Sequence, residues 1–296
     1  MIKHSRIFQC MGRLFLALGI GFISYFFIYR PMQLTWGASN KEVNRFMQGD
    51  EIVKNPTFNA TRALTINQKP ERIWPWIVQI GHGRAGWYSY DLVDNLAKKS
   101  VERIIPELQH LKPGDLIPID PNRKWGFWVK DYKPYQWMLW WDKEGGLTWA
   151  WGLYPLDKEH TRLVTRIRMR YKWLSPSILF YFALDIGDFV MMRQLMLGIK
   201  ARAEGKPVGT LFSLSAEFIL WLTAFIGFLI AEIHLVFRKK WHWPLALSIF
   251  ACAVTILLVM WKPPIWCDAL FTFVIYLGLW WVSRLERKFK ATKENK

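Results

Sequence analysis

The residues best equipped for chemistry fall in one short run: His82, Arg84, Trp87, Tyr88, Tyr90, Asp91, Asp94 and Asn95. Apolar pockets fix a ligand with a few directed polar contacts between greasy walls, and this mix of rings, hydroxyls, carboxylates and a guanidinium suits the mouth of one. Arg84 would meet an anion or a carbonyl. Tyr88, Tyr90 and Asp91 would supply further polar groups, and Trp87 a wall. A plain reading stands beside this for each residue, with Asp91 capping a helix and the aromatics filling a core. More wall candidates lie downstream, Trp149 and Trp151 among aromatic strands and Met192 and Met196 on a helix.

Catalysis has less to build on. An acid–base pair can be written from His82 and Asp91, but residues nine apart across a loop form no motif. The chain has no G-x-S-x-G, H-E-x-x-H, P-loop or dinucleotide fingerprint. His110 and His160 fall in loops. Cys10, Cys252 and Cys267 lie outside the central region, which leaves that region without a thiol nucleophile or a disulfide, and no Cys/His spacing suits a metal. No catalytic residue, metal ligand or cofactor is assigned.

Several elements must position the polar run. Thr57–Asn67 alternates as a strand, and Gln68-Lys69-Pro70 opens a helix through Ile80 with Ile73, Trp74, Trp76, Ile77 and Ile80 on its apolar face. Gly81 to Gly86 breaks the chain, and Trp87–Lys99 reads as a second helix. A β-rich half follows Pro113-Gly114, with strands at 116–119, 126–131, 135–141, 147–154 and 161–173. In the last strand Leu163, Thr165, Ile167, Met169, Tyr171 and Trp173 face one way. Arg162, Val164, Arg166, Arg168, Arg170 and Lys172 face the other, as a buried and a solvated side would. Contact with nucleic acid would need a recognition helix or stacking motif, which is absent; anionic lipid headgroups suit the basic ladder better. Trp125, Phe127, Trp128, Trp137, Trp140, Trp141, Trp149 and Trp151 crowd these strands too densely for one core. A long helix opens at Ser175-Pro176 and runs to about Glu204, with Phe189, Met192, Met196, Ile199 and Ala203 as a stripe. Upstream, Ser39 is placed to cap one or two helical turns.

Composition separates the chain into two phases. Of 296 residues 52% are hydrophobic and 19 are Trp, yet 40 Lys+Arg against 23 Asp+Glu give +17. This excludes a disordered or low-complexity chain, and three Cys exclude a disulfide scaffold. Four stretches read as membrane spans, at Leu14–Tyr29, Leu211–Phe237, Trp243–Trp261 and Pro264–Ser283, with Trp at successive ends of the last three. The first ends Tyr25-Phe26-Phe27-Ile28-Tyr29, without the small residues of a signal-peptide cleavage site, and is expected to stay as an anchor. Twelve basic residues flank the spans on the side of both termini and the 238–240 loop, against Arg30 and Lys262 on the other. That asymmetry puts both termini in the cytoplasm and the central domain outside it. About half of the net charge is therefore a topology signal. Glu217, Glu232 and His234 sit near span ends, so a proton or ion path is not expected.

The order of strand, two helices, antiparallel strands and one long helix is that of an α+β helix-grip domain, a sheet curled around a C-terminal helix with a cavity between them. Six runs carry a closer resemblance: Arg30–Gly37 (RPMQLTWG), Gly49–Ile52 (GDEI), Thr61–Ile66 (TRALTI), Trp74–Gly81 (WPWIVQIG), Gly83–Asp91 (GRAGWYSYD) and Met196–Glu204 (MLGIKARAE). Across roughly Arg30 to Glu204 the chain resembles bacterial START-like proteins of the SRPBCC superfamily, the polyketide cyclase, Bet v 1 and lipid-transfer group. The resemblance implies a START-like domain over residues 31–205, after a tail and anchor at 1–30 and before three spans at 206–283 and a basic tail at 284–296. It implies a bacterial source and, as partner, a lipid or another hydrophobic small molecule. The three C-terminal spans lie outside the resemblance, and it is the four apolar stretches that lead us to expect a multi-pass protein of the plasma membrane. A cyclase- or hydrolase-type enzyme, or a structural or sensory protein without catalysis, remain the alternatives.

Overall fold

The computed structural model describes residues 2–171 and 177–294, which divide into two compact units, Met32–Ser215 and Met1–Pro31 with Ala216–Lys296.

The larger unit is built on six antiparallel strands: β1 (Phe58–Ile66), β2 (Leu116–Pro118), β3 (Gly126–Lys133), β4 (Trp137–Trp141), β5 (Leu147–Pro155) and β6 (Thr161–Met169). They lie in the order β1-β6-β5-β4-β3-β2, so the first strand closes onto the last and the rest form a meander. Register pairs Arg62 with Thr165, Trp149 with Ile167 and Trp140 with Trp149, and one bulge falls between Val129 and Asp131 of β3. Period-two alternation sends Trp140, Trp149 and Trp151 inward. Trp128 and Trp141 face the other way, under the ammonium groups of Lys143 and Lys130. The crowded tryptophans are thus divided between two faces of one sheet.

Two helices, α4 (Pro70–Val78) and α6 (Ile178–Ala203), join the inward face. Ile73, Trp76 and Ile77 of α4 and Met192, Met196 and Ile199 of α6 form one core with Phe58, Ile66, Trp149, Trp151, Leu163 and Ile167. The expected α6 stripe is buried throughout. Gly198 sets how closely α6 can approach: a Cβ there would sit 2.1 Å from the Tyr88 carbonyl oxygen.

The opposite face departs from the expectation of a solvated strand surface. The segment from Gly37 to Val53, with α3 (Asn40–Asn44) inside it, covers Ala63, Leu139, Ala150 and Val164 through Met47 and Ile52. Ser39 caps α3 in a reciprocal box with Glu42. The basic ladder is internal: Arg162 pairs with Glu42 at 2.8 Å, and Arg166 and Arg168 share Asp50 at 2.6 and 3.2 Å. Arg166 also donates to the Glu42, Val43 and Arg45 carbonyls. These guanidiniums close a layer of this unit, and of the described ladder Arg170 alone is exposed. The alternation of β6 is present, but it marks two buried faces. Lys172, Trp173 and the Ser175-Pro176 helix opening lie outside the described residues.

Two further expectations are corrected. β6 leaves the sheet after Met169, where Tyr171 N–H turns to the Thr57 hydroxyl. The segment expected as a helix from Trp87 to Lys99 is helical only at α5 (Asp91–Asp94). Tyr88, Leu96 and Ala97 there take left-handed backbone, with φ of 56°, 50° and 61°. Asp91 does not cap α5; its carboxylate accepts from the backbone N–H and hydroxyl of Ser100, closing a loop.

Among the described residues four helices are long and apolar enough to span a membrane, Ile7–Leu34, Leu211–Phe237, His242–Trp261 and Ile265–Leu285, and most of each belongs to the smaller unit. The first is longer than Leu14–Tyr29, because neither Arg13 nor Arg30 ends it. It runs as α1 (Ile2–Ile23), steps to a π turn at Ser24–Tyr29 with Arg30 N–H bonding the Tyr25 carbonyl, and continues as α2 (Arg30–Leu34). We call the later three α7 (Leu211–Phe237), α8 (His242–Trp261) and α9 (Ile265–Glu294). They meet on small residues, Ala224, Ala231 and Ala251, with Gly227 against Ile275 and Gly278 against Leu247. Arg13 donates to the Arg238 carbonyl at 2.6 Å, and Arg238 to the Ser283 hydroxyl at 3.4 Å. The basic flanks of three helices therefore gather at one end of this unit.

Candidate functional site

Between α6, the α5 loop and the β2–β3 end of the sheet lies a cavity of about 330 Å³. Its wall is aromatic. The Trp87 ring lies parallel to Trp149, centroids 6.1 Å apart and 8° between planes, and Phe127 stands edge-on to Trp149 at 5.0 Å. From α6, Asp188, Met191, Met192 and Leu195 line the other side. That spacing of three, one and three residues is a single helical face. Val93, Leu96 and Ile119 line the cavity and are exposed, giving it an apolar rim. The neighbouring Trp125 is 72% exposed, and its carbonyl accepts from Ile119 N–H at 3.0 Å.

The polar groups of the lining are few. His82 is held by its backbone N–H on the Pro118 carbonyl at 2.8 Å. The Ser89 hydroxyl donates to the Met191 carbonyl at 3.0 Å, tying the loop to α6. Burial and the nearby Asp91 charge push the Asp94 carboxyl up to about 7. Asp188 is ion-paired with Arg62 of β1 at 2.7 Å; burial pushes its carboxyl up and the Arg62 charge pulls it back. Arg62 is 1% exposed and also donates to the Gln33 carbonyl at 2.8 Å.

Of the residues expected to touch ligand, Trp87, Trp149 and Met192 line this cavity. The others serve the frame around it. Arg84 is spent on backbone, donating to the Ile80 and Val78 carbonyls at 3.0 Å and to Leu108 at 3.3 Å, which pins the glycine-rich break. Tyr88 is buried with its hydroxyl 2.9 Å from the Gln79 side-chain nitrogen, and burial raises its pKa. Tyr90 lies 3.5 Å from an Arg193 nitrogen. Asp91 holds Ser100, and among the described residues no hydrogen bond or ion pair joins it to His82. Trp151 and Met196 are core residues. The residues that reasoning from sequence missed, Asp188, Met191 and Leu195, share Met192's helical face, a stripe one step round from the flagged one. Asp94 lay inside the flagged run without a role of its own.

The chain thus combines an α+β unit, in which an antiparallel sheet and a long helix enclose an aromatic cavity, with four membrane-length helices. No protein-family model matches it, and no curated protein does. Among solved structures, a conserved protein of unknown function from Enterococcus faecalis aligns with a TM-score of 0.31 and 13% identity, covering 59% of this chain and 94% of that one. A polyketide-cyclase-like protein from Corynebacterium glutamicum, solved by NMR, aligns with a TM-score of 0.24 and 16% identity, covering 55% of this chain and 93% of that one.

Proposed function

We propose that this chain is a membrane-anchored, START-like binding module that holds a lipid or another hydrophobic small molecule in the cavity beside α6. The observation that carries this reading is the cavity itself, about 330 Å³ behind a Trp87–Phe127–Trp149 wall. That volume is at the low end for small-molecule pockets and suits a single apolar tail or ring system, not a two-tailed phospholipid. The apolar rim of Val93, Leu96 and Ile119 supports loading of a ligand that partitions into the bilayer. The strand order, with β1 beside β6 and α6 on the inward face, supports the helix-grip reading.

The same proposal places both termini in the cytoplasm and the α+β unit on the opposite side of the plasma membrane. The gathering of Arg13, Arg238 and Ser283 at one end of the helical unit supports it, since the basic flanks then share a side.

Native mass spectrometry of the full chain, extracted in a mild maltoside detergent, tests the binding role. The expected result is a discrete bound apolar molecule, lost when Leu195→Trp fills the cavity. A wild-type protein that is empty in every extraction, or equal occupancy in the filled variant, overturns it.

A further inference from the structure

The charge of the cavity runs against that of the chain. The sequence carries 40 Lys+Arg against 23 Asp+Glu. Among the described residues that line the cavity there is no Lys or Arg, while Asp94, Asp120 and Asp188 all take part. Two of these carboxylates have work elsewhere. Asp188 has its counter-charge in Arg62 at 2.7 Å. Asp120 accepts from Asn122 and Trp125 backbone N–H groups at 3.1 and 2.8 Å, which shapes the rim.

Asp94 is different. Among the described residues no cation pairs with it, and its Oδ1 is buried without a hydrogen-bond partner. A buried carboxylate oxygen in that state is costly unless something supplies a charge or a proton. The same cavity wall offers the faces and edges of three rings, and ring faces attract cations. An anionic ligand such as a fatty acid would meet carboxylates and, among the described lining residues, neither Lys nor Arg; His82 is the one lining side chain that could carry a positive charge.

We propose that the cavity selects a single-tailed organic cation, its ammonium group between Asp94 and the Trp87–Phe127–Trp149 rings and its apolar tail along Met191, Met192 and Leu195. This rests on the reading of the cavity as a ligand site and names the class of ligand. Binding is then linked to the charge on Asp94. The titratable and charged groups around it are Asp91 on its own helix, held by Ser100, His82 on the preceding loop, Asp120 on the rim, and Asp188 with Arg62 across the cavity. A permanent cation draws Asp94 into its charged form, so affinity rises with pH through the range where Asp94 ionises.

The test uses the full chain in maltoside micelles and three probes of equal chain length: dodecyltrimethylammonium, dodecanol and dodecanoate. Binding is read by native mass spectrometry and by competition. The expected result is one bound ammonium probe per chain, about tenfold tighter than the alcohol, with the carboxylate weakest. Its affinity falls about tenfold between roughly pH 8 and pH 5.5, and Asp94→Asn abolishes both the preference and the pH dependence while Asp94→Glu keeps the preference. Equal binding of ammonium and alcohol, or an Asp94→Asn variant with wild-type preference, overturns the cation inference but leaves the ligand cavity standing. Binding of none of the three sinks both. A filled Leu195→Trp variant that still binds the ammonium probe also overturns the inference, because the probe then sits elsewhere.

Discussion

The Arg62 guanidinium on β1 lies 2.7 Å from the Asp188 carboxylate on α6, joining the sheet to the helix beside the cavity. Arg62 also lies over the Phe189 ring, 5.2 Å from its centroid, and its remaining nitrogens reach Gln33. Removing one member of a buried ion pair leaves the other uncompensated, at a cost of about 3–5 kcal/mol. Arg62→Met should therefore lower the unfolding temperature of the full chain in detergent markedly. Arg62→Met with Asp188→Leu should recover a large part of the loss, since both charges are then gone. If the double variant is as unstable as the single variants added together, the pair is not the link described.

Gly198 should reject even a methyl group. Helix propensity alone favours Ala over Gly by about 1 kcal/mol. Yet a Cβ at this position would lie 2.1 Å from the Tyr88 carbonyl oxygen and 2.8 Å from its Cβ. Backbone and helix must then part, and overpacking of this kind costs about 1–3 kcal/mol or more. Thermal unfolding of Gly198→Ala should show a clear loss, while a gain would mean that α6 is not seated against Tyr88.

Two carboxylates should make opposite contributions to stability as pH changes. Burial pushes the Glu42 carboxyl up, but hydrogen bonds from Arg162 and Ser39 outweigh this and bring it from 4.5 down to about 2. Its contribution is present above its unfolded value and disappears as pH falls towards about 2. Asp94 is raised from 3.8 to about 7, so its contribution is intact below its unfolded value and is lost as pH rises through about 7. Glu42→Gln should destabilise at neutral pH, with the gap closing in acid. Asp94→Asn should raise the unfolding temperature above neutrality and change little in acid. The reverse pattern for either variant contradicts these assignments.

Reporter fusions test orientation. A cytoplasmic reporter joined at the C-terminus should be active, and the same reporter inserted in the exposed turn at Lys158 should be silent. An active reporter at Lys158 places the α+β unit in the cytoplasm and overturns the proposed arrangement.

Much of the architecture was legible in the residues, and the failures have local causes. Period two marked β1 and β6, turn residues such as Pro113-Gly114 marked the strands between them, and period 3.6 marked α4 and the stripe of α6. The charge of Arg162, Arg166 and Arg168 reads in sequence as solvent exposure, whereas Glu42, Asp50 and several carbonyls are internal partners that no sequence pattern announces. Trp87–Lys99 misled because its polar groups act locally: Asp91 reaches Ser100 and three residues turn left-handed, which no periodicity announces. For the cavity, ring-bearing Trp87 and Trp149 were recognised by type. Asp188 and Leu195 needed a second helical face to be read beside the dominant one. Arg84 looked like a ligand contact because carbonyls that occupy a guanidinium are invisible in sequence.

Photolabelling tests the central claim most directly. The full chain in vesicles is exposed to a photoreactive single-tailed alkylammonium probe, and the labelled peptides are mapped by mass spectrometry. Labelling should concentrate on α6 around Met191 to Leu195 and on the loop from His82 to Leu96, and Leu195→Trp should abolish it there. Labels confined to residues 211–283, unchanged by that substitution, would show that the chain meets such molecules only as membrane solvent and would contradict the account.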